Sequence, residues 1–182
     1  MKLKSRCMKY LVMLTVFALN LVVAQAQNCN YEIDEVDKFS GEEEKLTEGL
    51  VIARKVKRDG ALPLRQVIAQ LRRVGNKRFF ILKFPMTMVM SPTFTSNKSS
   101  KLVLLLDNNE RITLRLDDLM RNMEDKVELR YATDFILRPD DLEQLKAHRI
   151  TDIRVAMRNN KFDMELEKDA AISLKQTFHC IE

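Results

Sequence analysis

The sequence predicts an α+β domain built mainly on antiparallel strands, with two helices of which the C-terminal one packs on the sheet. Short β-type runs occur in pairs around turn residues, two other segments have helical spacing, and no Gly/Ser-rich or Pro-rich linker divides the chain. These observations fit an antiparallel sheet, sandwich or roll. A PH-like roll, in which several strands precede a C-terminal helix, is the alternative architecture.

Turn chemistry predicts two hairpins. The runs KLVLLL (101–106) and RITLRL (111–116) flank the polar stretch DNNE, and the second run alternates apolar and polar side chains. Segments 150–158 and 161–166 flank the pair Asn159-Asn160 in the same way. Because asparagine tolerates the positive φ of tight turns, we expect both pairs of segments to be antiparallel hairpins.

Two helices are predicted near the C-terminus. Segment 139–148 begins with Pro139 at the first helical position and has acidic residues in its first turn, where the helix dipole favours them. Segment 168–181 places apolar side chains on one face, which we expect to pack on the sheet: Ala171, Leu174, Phe178 and Ile181.

Segment 61–84 fits two structures. Apolar residues at helical spacing between Pro63 and Gly75 favour a helix on local grounds. The alternative is a β-hairpin that turns at residues 74–77 and continues into the run RFFILKF, residues 78–84.

Three patterns resemble an uncharacterised family of small exported proteins from Bacteroidetes. They are the run EVDKFSG (35–41) shortly after Cys29, the hairpin sequence LLLDNNERITL, and a final stretch with Ile150, Ile153-Arg154 and Cys180-Ile181. In sequences of that family the stretch that matches 64–84 has the pattern of paired strands, and for this reason the hairpin is preferred. The resemblance implies no activity, cofactor or catalytic residue.

The first 26 residues are predicted to be a signal peptide. Cationic residues precede an apolar run from Tyr10 to Ala24, and small residues at Ala24 and Ala26 mark the expected cleavage site. A retained membrane anchor is the alternative, although the run is shorter than the about 20 apolar residues of a spanning helix. We expect an exported periplasmic or extracellular protein that does not span the membrane, with residues 27–182 forming one globular domain.

Export would place two cysteines in an oxidising compartment. Cys7 would be lost with the signal peptide, which leaves Cys29 and Cys180 near the two ends of the mature chain. We expect them to form a disulfide, because terminal segments fray unless they are tied down. The alternative is two unrelated buried thiols.

Charge is unevenly distributed along the chain. The formal net charge of +5 falls to +1 without residues 1–26, which hold four cations and no acid. Segment 31–49 has a net charge of −6, whereas segment 54–83 has a net charge of +9. Either the basic segment pairs with acids across the sheet, which we prefer, or it binds a polyanion of the cell envelope. Intracellular nucleic acid is not an expected partner. The polyanion candidates are Arg54, Lys55, Lys57, Arg58, Arg72, Arg73, Lys77 and Arg78.

Other candidate sites are weaker. Met86, Met88 and Met90 alternate between Pro85 and Pro92, which puts three thioethers on one strand face as core or as a contact surface for a partner protein. The acids of segment 34–44 lack the D-x-D-x-D-G spacing of a calcium-binding loop, so a solvated edge is preferred. His148 and His179 have no metal-site spacing, and we expect no metal, no cofactor and no catalytic residue. The expected function is a non-enzymatic binding or envelope-structural module; a small secreted hydrolase with carboxylate chemistry is the alternative.

Overall fold

The structure is a computed structural model that describes residues 29–53, 66–85, 100–116, 121–124, 129–157 and 160–182. The predicted signal peptide lies outside these residues. The strands are β1 (Tyr31–Val36), β2 (Glu43–Thr47), β3 (Leu50–Ala53), β4 (Val67–Val74), β5 (Lys77–Pro85), β6 (Lys101–Leu106), β7 (Arg111–Leu116), β8 (Arg121–Glu124), β9 (Leu129–Leu137), β10 (Ile150–Met157) and β11 (Asn160–Glu165). The helices are α1 (Pro139–Ala147) and α2 (Lys168–Thr177), and a 3-10 turn follows at Phe178–Ile181.

The described strands form one antiparallel sheet in the order β1-β2-β4-β5-β9-β7-β6-β10-β11. β2 and β3 follow each other along the same side of β4, and β7 and β8 follow each other along β9. The predicted α+β class with antiparallel strands is therefore confirmed. Each end of the sheet is an open edge among the described strands, so the sheet is not closed into a barrel.

The ambiguous segment contains the predicted hairpin. β4 and β5 pair antiparallel from Ile68 opposite Lys83 to Val74 opposite Lys77. Gly75 has a φ of +55° at the turn, a conformation that glycine adopts without steric strain. Val67, Ala69 and Leu71 alternate on the buried face of β4, because a strand sends every second side chain to the same side. The helix alternative is wrong over residues 67–74.

One face of the sheet, called the core face, carries the large hydrophobic core. Phe80 and Phe135 are fully buried neighbours on β5 and β9. The predicted helix α1 begins at Pro139 and buries Leu142 and Leu145. α2 contacts β3 and β10, and the 3-10 turn brings the ring of Phe178 to 5.9 Å from that of Phe80. The predicted packing of the C-terminal helix on the sheet is thus confirmed.

The opposite face, called the open face, is mostly polar but holds a second apolar cluster near β1. Leu46 of β2, Phe79 and Ile81 of β5, and Ala132 of β9 are buried there. Alternation explains the division between the two faces, because β5 sends Phe79 to the open face and Phe80 to the core face. This end of the sheet is therefore apolar on both sides, and the ionic side chains around the smaller cluster are partly removed from water.

Candidate functional site

Acids of the first two strands hold several cations of the basic segment. Arg72 lies 2.7 Å from Glu44, measured from Nε to Oε1, and Arg73 lies 3.3 Å from Glu43. The Nζ atom of Lys83 on β5 is 4.0 Å from Glu32 of β1. These contacts support charge pairing inside the sheet for this part of the segment.

Two arginines of the basic segment, Arg73 and Arg78, contact the C-terminal residues. Arg78 donates from Nε to the carbonyl oxygen of Ile181 at 2.7 Å, and Arg73 donates to the carbonyl oxygen of Glu182. Lys77 is exposed at the beginning of β5. The remaining polyanion candidates lie outside the described residues: Arg54, Lys55, Lys57 and Arg58. Met86, Met88 and Met90 also lie outside them.

Cys29 and Cys180 form a disulfide that joins residues 151 positions apart. Their Cα atoms are 5.6 Å apart, within the usual range for a bridge. Tyr31 supports the same junction, since its hydroxyl donates to the carbonyl oxygen of Cys180 at 2.8 Å. The predicted bridge is confirmed, and it ties the beginning of β1 to the 3-10 turn.

A polar group lies beside the apolar cluster of the open face. Gln70 is 1% exposed and donates from Nε2 to Glu32 at 2.6 Å and to the carbonyl oxygen of Thr47 at 2.9 Å. No hydrogen-bond partner for its Oε1 atom is found among the described residues. Asp134 is also buried and lies 3.9 Å from Arg72. This group fixes β1 and β2 on β4, because Gln70 contacts both of them.

The two histidines lie at the surface. The Nδ1 atom of His148 is 3.2 Å from Asp107, and that of His179 is 3.5 Å from Glu182. Asp107 also accepts from Arg149 at 3.0 Å, and this hydrogen bond is the main reason that the pKa of Asp107 is lowered. Within the described residues, no three or more His, Cys, Asp or Glu side chains are arranged to hold a metal ion.

The loop between β1 and β2, residues 37–42, presents an aromatic ring to solvent. Phe39 is 99% exposed, and Val36 at the base of the loop is 61% exposed. Oδ1 of Asp37 accepts from the backbone N–H groups of Phe39 at 2.9 Å and of Ser40 at 2.6 Å. These bonds, the one from Ser40 first, lower the pKa of Asp37 because they favour its charged form.

Further hydrogen bonds close this loop. Asp37 donates its N–H to the carbonyl oxygen of Glu42 at 2.9 Å, and Gly41 donates to the carbonyl oxygen of Asp37 at 2.8 Å. Gly41 has a φ of +72°, which lets the chain reverse there. Ser40 also donates its hydroxyl to Asp37 at 2.9 Å. The loop therefore positions Phe39 through contacts that do not involve its own side chain.

No family model, curated protein or solved structure matches the chain. The resemblance to exported Bacteroidetes proteins stays a prediction. In the part of the chain that the structure describes, no helix is both long enough and apolar enough to cross a membrane.

The exposed Phe39 is the feature that sequence reasoning did not select as a site. The acidic residues around it led to the interpretation of segment 34–44 as a solvated edge. The single aromatic residue within this acidic segment was therefore not considered as a site. The available signal was the short pattern DKFSG, where an Asp two residues before and a Gly two residues after an aromatic residue predict a tight turn.

Proposed function

We propose that this protein is an exported, non-enzymatic binding module that recognises a partner protein through the β1–β2 loop and the edge of the sheet beside it. The observation that carries the proposal is the full exposure of Phe39 on a loop held by the side chain of Asp37. Aromatic side chains are enriched among the residues that dominate binding energy at protein interfaces. Because the backbone at Phe39 is already held by hydrogen bonds, less backbone freedom is lost on binding.

The ionic contacts favour the β1–β2 loop over the basic segment as the binding surface. Among the polyanion candidates that the structure describes, Arg72 and Arg73 contact acids of β2, and Arg78 donates to the C-terminal chain. A polyanion would have to compete with those partners. The β1–β2 loop, in contrast, places its apolar ring directly in solvent.

Export is supported by the disulfide. A bridge between Cys29 and Cys180 is typical of proteins that fold in an oxidising compartment and uncommon in cytosolic proteins. Release into the periplasm or the medium would also require the cleavage predicted after Ala26. Intact-mass measurement of protein collected from the culture medium or the periplasm tests this part of the proposal. A protein that is found only in the cytoplasm with reduced cysteines would contradict it.

A site-specific photo-crosslinker tests the binding function. With a benzophenone side chain at position 39, irradiation of the producing cells is expected to give one major covalent adduct with a second protein. Ile172, which is 36% exposed on α2, provides the matched control position. Equal adducts from both positions, or none from position 39, would contradict the proposal. Turnover of chromogenic ester, phosphate or glycoside substrates by the purified protein would show that it is an enzyme.

A further inference from the structure

We propose that the outer edge of β1 accepts an extended, basic segment of a partner protein as an added strand, with Phe39 and Val36 as its apolar contacts. This inference rests on the proposed binding function and names the chemistry of the partner.

The backbone of β1 has unpaired hydrogen-bonding groups on its outer side among the described residues. Asp37 donates to Glu42, so these residues form a hydrogen-bonded pair, and the pairs of an antiparallel ladder alternate. Val36 opposite Glu43 is thus a pair without mutual hydrogen bonds, and so is Asp34 opposite Lys45. The peptide groups of Asp34 and Val36 therefore point away from β2.

A contact on the other side of β2 supports this assignment. Glu43 accepts at its carbonyl oxygen from the N–H of Gly75 at 2.9 Å, so the backbone of Glu43 faces the β4–β5 turn and not β1. Its partner Val36 must then direct its own N–H and carbonyl groups outward. Edge strands with such groups can take up an extended peptide by main-chain hydrogen bonds.

The charges of β1 select the occupant. The strand has six residues and carries exposed carboxylates at Asp34 and Glu35. Glu32 is also exposed but already accepts from Gln70 at 2.6 Å. A second copy of β1 would place like charges opposite one another, which destabilises a strand pair and is a common protection of edge strands. A lysine-rich or arginine-rich strand would instead pair with these acids. The favoured occupant is therefore a basic segment and not a second copy of this chain.

The apolar contacts set a second requirement. Val36 is 61% exposed at the end of β1, and Phe39 follows it in the hydrogen-bonded loop. A strand that extends past Val36 would pass close to the ring of Phe39, so the partner segment should carry an apolar side chain near that end. Burial of the ring would give the contact its main apolar contribution. Acids around the ring disfavour an anionic lipid surface as the alternative.

The experiment uses a fluorescent peptide of about ten residues that alternates lysine and valine, titrated by anisotropy against the full chain lacking only its predicted signal peptide. We expect saturable binding that is about tenfold weaker for a peptide alternating glutamate and valine. One peptide with N-methyl groups on its lysines and another with N-methyl groups on its valines block opposite strand edges, and we expect at least one of them to lose binding. Equal binding of both methylated peptides would overturn the inference.

Variants of the protein locate the site. Phe39→Ser is expected to weaken binding of the lysine–valine peptide about tenfold, whereas Ile172→Ser leaves it unchanged. Glu35→Lys should weaken the same peptide and strengthen the glutamate–valine peptide. In an amide hydrogen-exchange measurement, the peptide should protect the N–H groups of Asp34 and Val36. Binding without this protection, or binding that Phe39→Ser leaves intact, would overturn the inference.

Two alternative occupants have distinct outcomes. Binding to phosphatidylglycerol vesicles but not to the peptide would assign Phe39 to a lipid surface, and concentration-dependent dimerisation lost in Phe39→Ser would assign it to a second copy. Either result overturns the basic-strand inference. If the crosslinker at position 39 captures a partner while no peptide protects β1, the binding function stands and the strand inference fails. If neither is observed, both fail.

Discussion

The hydroxyl of Tyr31 donates to the carbonyl oxygen of Cys180 at 2.8 Å, across a sequence separation of 149 residues. Tyr31 begins β1. Cys29, which lies two residues before Tyr31, forms the disulfide with Cys180. The edge strand of the sheet and the C-terminal 3-10 turn are thus joined both covalently and by a hydrogen bond. The position of β1 therefore depends on this junction as well as on β2.

Replacement of either bridged cysteine is expected to destabilise the fold. Cys29→Ser and Cys180→Ser should each lower the free energy of unfolding by about 2–5 kcal/mol, because the unfolded chain regains the freedom of a long loop. Urea denaturation followed by circular dichroism measures the change. The double variant should match the single variants, since all three lack the same bond. An unchanged urea midpoint on reduction of the wild-type protein would contradict this expectation.

Arg78 is expected to stabilise the C-terminal residues more than a surface ion pair would. Arg78→Met should cost about 1–2 kcal/mol, because the carbonyl oxygen of Ile181 loses a charged donor at 2.7 Å. The matched control is Arg154→Met, which removes an exposed pair with Asp163 at 2.6 Å and should change stability little. Chemical denaturation of both variants checks the comparison. Equal effects would show that the contact to Ile181 has no special weight.

Truncation of a buried and of an exposed phenylalanine should change stability by very different amounts. Phe80→Ala leaves a cavity beside Phe178 and is expected to cost about 3–5 kcal/mol. Phe39→Ala removes a ring that is 99% exposed and should change stability by less than about 0.5 kcal/mol. Thermal or urea unfolding measures both changes. A large loss of stability in Phe39→Ala would mean that the ring packs against the protein.

Stability should decrease in acid. The pKa of Asp107 is lowered from 3.8, mainly by the hydrogen bond from Arg149, and that of Glu182 is lowered from 4.5, mainly by the hydrogen bond from Lys146. A carboxyl group with a lowered pKa in the folded state stabilises the fold above its unfolded pKa. This contribution is lost as the pH falls through the folded pKa.

Urea midpoints at about pH 7 and about pH 3 measure this effect. We expect a lower midpoint at the acidic pH, and a smaller difference between the two conditions in the Asp107→Asn, Glu182→Gln double variant. That variant should also be less stable than wild type at neutral pH. An unchanged pH dependence in the double variant would assign the acid sensitivity to other carboxylates.

Turn residues correctly predicted the β6–β7 and β10–β11 hairpins, whereas for β4–β5 the local spacing favoured a helix and only the family resemblance favoured paired strands. The hairpin of β6 and β7 has a φ of +67° at Asn109, which fits the predicted asparagine turn. The last helical segment was predicted as one helix over 168–181, whereas α2 ends at Thr177 and continues as a 3-10 turn. The boundary was not predictable, since the disulfide at Cys180 and the contacts of Arg73 and Arg78 act there from distant parts of the chain.

The order of the strands was not predictable from the sequence. β5 pairs with β9, more than forty residues later, and β6 pairs with β10, because buried faces such as those of Phe80 and Phe135 match only in the folded sheet. The pairing of the basic segment with β1 and β2 depends on the same long-range contacts. The exposure of Phe39 was not predictable either, since exposure of an aromatic ring is a property of the fold and not of the local pattern.

The bridge between Cys29 and Cys180 also determines how the molecule responds to cutting and pulling. A protease that cleaves one peptide bond anywhere between the two cysteines leaves both fragments in a single covalent molecule until the disulfide is reduced. A tensile force applied to chain on either side of the bridge passes through the two sulfur atoms, so the sheet between them stays unloaded. Damage that would separate an unbridged chain therefore leaves β1 covalently attached to the C-terminal 3-10 turn.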